Sequence, residues 1–182
     1  MFIIFTFNNH FFKTMKKLRI LALIATSILA ISTYAQDCDV PKNYVLEKPE
    51  DFAYYESDIL KCINWLLNAP MNDQTIKRKE VNAFVLKWIS GSPNVTIEMS
   101  QKIVNFSKEN SELLMIFMCG WTKYSLETRV FNDKYYGNLK GIEAVINFYT
   151  KNKASLAKDK AVEKYIKMKE KGELENFIKS NF

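Results

Sequence analysis

One short segment carries most of the side chains that could form a ligand site. It begins inside an apolar run of nine residues, Leu113–Trp121, and the candidates are Met118, Gly120, Trp121, Lys123, Tyr124 and Glu127. Small-molecule pockets combine apolar and aromatic walls with a few polar groups, and this segment offers both. The alternative is an ordinary helix end, because Lys123 and Glu127 stand at the i, i+4 spacing of a common surface ion pair. Both interpretations remain open from the sequence.

The cysteines are the second set of groups with reactive chemistry. One interpretation makes Cys62 and Cys119 buried thiols and leaves Cys38 exposed near the start of the domain, since free cysteine is commonly buried. The alternative is a disulfide between Cys62 and Cys119, which an oxidising compartment would favour. No CxxC motif occurs, so the sequence supports neither a thioredoxin-type redox pair nor a zinc knuckle.

Histidine chemistry is confined to His10, the single histidine of the chain. If the residues around His10 are removed on export, the remaining chain lacks Ser-His and Cys-His nucleophile pairs and histidine zinc sites. It also lacks a glycine-rich phosphate loop and a GxSxG turn. The sequence therefore predicts no cofactor and no metal site, and it favours a non-catalytic role over an enzyme.

The amino-terminal region has the pattern of a secretory signal peptide. Residues 15–35 combine three basic residues near Met15, a twelve-residue apolar stretch and small residues before a cut between Ala35 and Gln36. A membrane-spanning helix needs about 20 apolar residues, so no anchor is expected after cleavage. Residues 1–14 are interpreted as a spurious upstream extension, and the sequence leaves open whether translation starts at Met1 or at Met15. The predicted location is periplasmic or secreted.

Export changes the charge balance of the chain. Without Lys13, Lys16, Lys17 and Arg19, the mature sequence has 22 basic and 20 acidic residues. A nucleic-acid-binding domain is expected to keep a strongly basic balance. Nucleic acid is therefore not a predicted partner, whereas a protein or an envelope component is, and the oligomeric state is open.

Hydrophobic periodicity is helical along nearly the whole mature chain. An extended lead-in over residues 36–49 precedes an all-helical domain over residues 50–182. The predicted helices cover Glu50–Asn68, about 73–90, about Met99–Lys108, Glu112–Glu127, Asp133–Lys151, Lys158–Lys171 and Glu173–Asn181. The expected fold class is all-α, with about six or seven helices in a single irregular bundle or short helical array.

The apolar run identifies the centre of that bundle. Residues 113–121 are too few to cross a bilayer, and a soluble helix that is apolar on all sides is a buried one. Gly120 inside this helix costs about 1 kcal/mol relative to alanine, which indicates that another helix or a ligand approaches the backbone closely. A helix–helix approach is the preferred interpretation.

Charges are unevenly distributed along the chain. Residues 37–58 have a net charge of −5, whereas residues 151–171 contain eight lysines and have a net charge of +5. Two solvated surfaces are the simplest explanation. Alternatively, the two segments contact each other, either within one chain or between two chains. A third possibility is that the lysine-rich segment contacts an anionic envelope surface, with Val162, Tyr165 and Ile166 as its apolar face.

Two stretches, CINWLLNAPMNDQTIKRKEVNAFVLKWISGSPNV and LLMIFMCGWTKYSLE, together with the leader, resemble a group of small exported helical bacterial proteins of unknown function. The resemblance implies an all-helical exported domain and carries over neither an activity nor a site residue. The function expected from the sequence is non-catalytic binding of an envelope component or partner protein. The alternative is a small-molecule binder or a histidine-free enzyme with a pocket near the end of the central helix.

Overall fold

The helices account for most of the residues that the computed structural model describes, 38–72, 74–106 and 110–182. Seven α-helices and no strand occur in these ranges: α1 Pro49–Tyr54, α2 Glu56–Asn68, α3 Thr75–Gly91, α4 Ser111–Thr128, α5 Lys134–Lys151, α6 Lys160–Glu170 and α7 Leu174–Lys179. The all-α prediction is confirmed. The extension 1–14, the signal peptide 15–35 and the cut before Gln36 lie outside the described residues.

The first predicted helix, Glu50–Asn68, is divided into α1 and α2 at Tyr55. Pro49 occupies the first turn of α1, where a missing N–H costs nothing. The indole Nε1 of Trp88 donates a 2.9 Å hydrogen bond to the carbonyl of Phe52, one turn before the division. A tertiary hydrogen bond to the helix backbone thus accompanies the division, and the apolar spacing continues through it.

The predicted helix at Met99–Lys108 is wrong over residues 99–106, which form a turn. The N–H groups of Ile103 and Val104 both bond to the Ser100 carbonyl, and the chain then leaves helical geometry. The hydroxyl of Tyr165 donates to the Ile103 carbonyl at 2.7 Å, which fixes this turn against α6. The apolar spacing of the segment reflects its packing onto the core rather than a helix.

Helix α4 lies at the centre of the fold, as predicted for residues 113–121. One side of α4 packs with α2, α3 and the lead-in through Met115, Cys119 and Leu126. Another side packs with α5, α6 and α7 through residues that include Phe117 and Trp121. Because α4 contributes to both clusters, its nearly uninterrupted apolar sequence is the expected one for a central helix.

The contact between α4 and α5 depends on small residues. A Cβ atom placed on Gly120 would lie 2.6 Å from the Lys140 carbonyl oxygen and 2.6 Å from the Ala144 Cβ. On the opposing helix, Gly141 provides the space occupied by the Phe117 ring. The predicted helix–helix approach at Gly120 is therefore confirmed, and its partner is α5.

No helix within the described ranges combines the length and the apolar composition needed to cross a membrane.

Candidate functional site

The six residues predicted to form a ligand site lie in three different surroundings. Gly120 and Trp121 are buried against α5, where the Trp121 ring lies over Gly137. Met118 faces α3 and lines a groove between α3 and α4. The structure therefore does not gather these three residues around one cavity, although they are close in sequence.

The other three residues form surface contacts at the end of α4. Lys123 pairs with Glu127 at 3.3 Å and also donates a hydrogen bond to the Asn64 side chain of α2. The Tyr124 ring stacks on Tyr136 with their centroids 5.7 Å apart. Desolvation of the hydroxyl raises the pKa of Tyr124, and the nearby Asp133 carboxylate raises it further. These contacts are those of the ordinary helix end, and the ligand-binding role of the set stays a prediction.

The cysteine pairing differs from both sequence interpretations. Cys38 is joined to Cys62 in a disulfide with a Cα–Cα distance of 4.9 Å, and Cys119 is free and buried. The prediction of an exposed Cys38 is wrong, and so is the alternative bridge between Cys62 and Cys119. The reason is that the lead-in folds back onto α2, where Cys38 and Leu46 join the core. Local spacing does not reveal such a long-range return of the chain.

Cys119 is not a candidate nucleophile. Burial raises the pKa of its thiol, and the negative charge of Glu112 raises it further, whereas Arg78 lowers it. Thiolate is the nucleophilic form of cysteine, so a thiol held protonated in the core is inert. The structure therefore assigns Cys119 to packing.

A buried polar cluster joins α3 to α4, and the sequence analysis did not single it out. Arg78 Nη1 donates to Glu112 Oε1 at 2.8 Å, and its Nη2 donates to the Ala69 carbonyl at 2.8 Å. Asn82 Nδ2 donates to Glu112 Oε2 at 3.2 Å. The available signal was the spacing of Arg78, which lies three and seven residues before the buried Val81 and Val85. That spacing places Arg78 on the buried face of α3 despite its charge.

The lysine-rich segment forms a positively charged surface that includes one side of α6. Along α6, Lys160, Lys164 and Lys167 recur at spacings of four and three residues and therefore lie on one side of the helix. We call the exposed Lys158, Lys160, Lys164 and Lys167 the lysine face. Together with Glu163 they line a shallow groove of about 330 Å3.

Two of the three acidic residues within this segment, Asp159 and Glu163, are engaged in contacts within the fold, whereas Glu170 is exposed at the end of α6. Asp159 is buried and caps α6 by accepting from Ala161 N at 3.0 Å and Val162 N at 3.3 Å. Glu163 pairs with Lys153 at 2.9 Å, and the hydrogen bond from Lys153 holds the pKa of the Glu163 carboxyl below its usual value. Both negative charges thus serve contacts within the fold, which leaves the lysine face with an excess of positive charge.

The apolar side of α6 is part of the core. Val162 and Tyr165 are 0% and 1% exposed, and both pack in the cluster around α4 and α5. The sequence hypothesis that Val162, Tyr165 and Ile166 form an apolar face for an envelope surface is therefore wrong for the first two. A contact made by α6 is restricted to the charged side of the helix.

No protein-family model, curated protein or solved structure matches the chain. The functional argument therefore rests on the residues of this chain.

Proposed function

We propose that the protein is an exported, non-catalytic binding protein that attaches to an anionic membrane surface of the cell envelope through the lysine face of α6. The observation that carries the proposal is the concentration of Lys160, Lys164 and Lys167 on one side of α6, with Lys158 just before the helix, while the other side of α6 is buried in the core. Lysine binds phosphate groups as a point charge and needs no shaped pocket to do so. A shallow lysine-lined groove is suited to lipid phosphates.

Two features support export, one from the sequence of the leader and one from the structure of the domain. The leader over residues 15–35 and the resemblance to exported helical proteins favour secretion or a periplasmic location. The Cys38–Cys62 disulfide is a bond that persists in oxidising compartments. We accordingly propose Gln36 as the first residue of the mature protein.

The electrostatic cost of the lysine face argues for a role beyond solubility. Like charges at the i, i+4 spacing, such as Lys160 and Lys164, destabilise a helix by about 0.2–0.5 kcal/mol per pair. Lys160 is also the first residue of α6, where the helix dipole disfavours a positive charge by about 0.3–1 kcal/mol. Binding to an anionic surface offsets both the repulsion between the lysines and the unfavourable interaction of Lys160 with the helix dipole, because it places negative charge next to these side chains.

The expected attachment is weak and reversible. A lysine near an anionic bilayer contributes about 1 kcal/mol, so four lysines contribute about 4 kcal/mol, which corresponds to a dissociation constant near 1 mM for one protein on its own. Because Val162 and Tyr165 are committed to the core, no apolar insertion adds to this value. Binding is therefore expected to disappear at high ionic strength, where the Debye length falls to about 3 Å.

Vesicle co-sedimentation of the oxidised chain from Gln36 to Phe182 tests the proposal. Vesicles of phosphatidylglycerol and phosphatidylcholine are compared with pure phosphatidylcholine at low salt and at 1 M salt. We expect binding only to the anionic vesicles at low salt. Absence of binding there contradicts the proposal.

A matched pair of triple variants locates the surface. One variant carries Lys160→Gln, Lys164→Gln and Lys167→Gln, and the control carries Lys42→Gln, Lys79→Gln and Lys102→Gln, which are exposed lysines outside α6. Both variants lose the same charge, so only the first is expected to lose vesicle binding. Equal losses would assign the effect to total charge and would contradict a specific lysine face.

A further inference from the structure

The chain that leads into the lysine face is held by hydrogen bonds from other parts of the fold. It runs from Asn152, the C-cap of α5, to Asp159, the N-cap of α6, and we call residues 152–159 the α5–α6 connection. At its start, the Asn152 side chain accepts a hydrogen bond from the N–H of Met71 at 2.9 Å. At its end, the N–H of Asp159 donates to the hydroxyl of Tyr149 at 3.1 Å.

Asn110 holds the residue directly before Lys158. Its Nδ2 donates to the carbonyl of Ala157 at 3.0 Å, and its Oδ1 accepts from the N–H of Ala157 at 3.2 Å. Both ends of one side-chain amide are thus bonded to the two backbone groups of one residue. Since Asn110 is only 4% exposed, these bonds are shielded from water and fix the backbone at Ala157.

The side chain of Asn110 does not serve its own helix. Asn110 occupies the N-cap position of α4, but its side chain makes no capping hydrogen bond there. Asparagine is among the strongest N-cap residues, because its side-chain oxygen normally accepts from a backbone N–H of the first turn. At this position the amide is bonded to Ala157 instead, so its described contacts serve the α5–α6 connection.

Lys158 lies between two residues, 157 and 159, whose backbone groups are both bonded to buried side chains. Its own side chain is exposed and lines the groove of the lysine face. The hydrogen bond from Lys153 lowers the pKa of Glu163 most, and the positive charge of Lys158 lowers it further. Lys158 therefore acts on the same charged surface as the lysines of α6, although it precedes the helix.

An ordered backbone at Lys158 matters for binding because of conformational entropy. The free energy needed to order the backbone of one residue is of the same order as the contribution of one lysine near an anionic bilayer. A lysine on a free loop would therefore lose most of its contribution on binding, whereas a lysine that is ordered beforehand retains it. The three lysines of α6 are ordered by their helix, and Lys158 needs another source of order.

We infer that Asn110 is a positioning residue for membrane binding, which holds the backbone at Ala157 so that Lys158 is presented together with the three lysines of α6. The inference rests on the proposed function, because it identifies how one lysine of the lysine face is kept in place. It also explains why an asparagine at the start of α4 is bonded to a residue 47 positions later in the chain.

Asn110→Ser in the oxidised chain tests the contact. Serine also caps helices well, so α4 should begin at the same residue while both bonds to Ala157 are lost. Amide hydrogen exchange at Ala157 should become faster. Binding to the anionic vesicles should fall by about two- to fivefold, the upper value being that expected for Lys158→Gln. Unchanged exchange at Ala157, or unchanged vesicle binding, would overturn the inference.

Two double-mutant cycles separate positioning from a general loss of stability. In the Lys158→Gln background, Asn110→Ser should have no further effect on vesicle binding, because the side chain that it positions has no charge. In the matched Lys167→Gln background it should keep its full effect, since Lys167 is held by α6. Urea unfolding should show the same change in stability in both backgrounds. An equal loss of vesicle binding in both would overturn the inference.

Failure of the proposed function gives a different result. If the wild type does not bind the anionic vesicles, both the proposed function and the role of Asn110 are wrong. If the wild type binds and the variant with three α6 lysines replaced by glutamine does not, the lysine face is supported. Normal binding by Asn110→Ser in that case would overturn the role of Asn110 alone.

Discussion

At the scale of single residues, Gly120 stabilises the contact between α4 and α5, although glycine disfavours helix formation. Replacing glycine by alanine inside a helix normally stabilises a protein, by up to about 1 kcal/mol. At Gly120, however, the added Cβ would lie 2.6 Å from a backbone oxygen of α5. Backbone cannot move aside as a flexible side chain can, so the two helices must separate.

The first prediction is therefore that Gly120→Ala lowers the free energy of unfolding, by about 1–3 kcal/mol, as in other overpacked cores. Urea unfolding followed by circular dichroism measures the change. Glu127→Ala, at the exposed end of the same helix, removes only a surface ion pair and should change stability by at most about 1 kcal/mol. A stabilised Gly120→Ala protein would show that α4 and α5 do not approach each other at this point.

Tyr165 supplies a second prediction at this scale, through the pH dependence of stability. Burial of the hydroxyl, reinforced by the charge of Asp159, raises the pKa of Tyr165 to about 12, against an ordinary value of 10.0. Because the folded state holds the proton more tightly than the unfolded state, the stabilisation is complete below pH 10. It is lost as the pH rises from about 10 towards 12.

We expect Tyr165→Phe to be less stable than the wild type at pH 7, by about 1–2 kcal/mol, because the buried Ile103 carbonyl loses its donor. Between pH 9 and 11 the wild type should lose more stability than the variant, so that the two unfolding curves converge. Parallel losses over that range would show that Tyr165 does not titrate in the alkaline transition.

At the scale of helices, the sequence predicts apolar faces better than helix ends. The central position of α4 follows directly from its apolar run, and the Asp133 cap of α5 is the residue at which that helix was expected to begin. The division at Tyr55 is not predictable in the same way, since it involves a tertiary hydrogen bond from Trp88. The same is true of the turn at residues 99–106, whose carbonyls are bound by Tyr165 more than 60 residues later.

Functional positions were predictable to a smaller extent, for a physical reason. The lysine face is visible in the sequence because three of its four lysines lie within a single helix and Lys158 lies two residues before it. The buried polar cluster between α3 and α4 combines residues from two helices, and it includes Arg78, whose neighbours Lys77 and Lys79 give it the local pattern of a surface segment. Only the packing of α3 on α4 shows that this arginine is buried with Glu112.

Helix α6 offers a prediction in which stability and binding change in opposite directions. Lys160→Glu replaces an unfavourable positive charge at the first residue of α6 with a favourable negative one, and it creates an i, i+4 pair with Lys164. We expect the free energy of unfolding to rise by about 0.5–1 kcal/mol at low salt, while binding to anionic vesicles falls. Lys160→Gln should give an intermediate value for both quantities.

Thermal unfolding and vesicle co-sedimentation of the same samples provide the comparison. If stability and vesicle binding both fall, the substitution has damaged the fold, and the result does not support membrane binding through the lysine face. A gain in stability without a loss of binding would mean that Lys160 does not contact the membrane surface.

At the scale of the whole molecule, the acidic segment of residues 37–58 is tied into the fold by contacts of its own. Glu56 pairs with Arg129 at 2.6 Å, beyond the end of α4, and Asp58 pairs with Lys61 on the same helix. Asp51 accepts hydrogen bonds from the backbone N–H groups of Glu47 and Lys48, which lower the pKa of its carboxyl. The partners described for these acidic residues are therefore not lysines of the lysine face.

The last prediction concerns the disulfide, which links the lead-in covalently to α2 and so stabilises the whole domain. Cys38 and Cys62 are 24 residues apart, and closing a loop of that length stabilises a folded chain by about 3 kcal/mol in the chain-entropy model. For a domain of this size, reduction should lower the melting temperature by roughly 6–12 °C. Cys119→Ala should show the same decrease on reduction, since Cys119 takes no part in the bond.

Thiol labelling identifies the bond directly. The oxidised native protein should label at no described cysteine, because Cys38 and Cys62 are bonded and Cys119 is buried. Unfolding without reductant should expose Cys119 alone, and reductant should expose all three. Chain that is made in a reducing cytoplasm without its leader should melt at the lower temperature until it is oxidised, whereas exported chain should carry the bond from the start. Equal melting temperatures for both preparations, with all three thiols free, would contradict the disulfide and would remove its support for export.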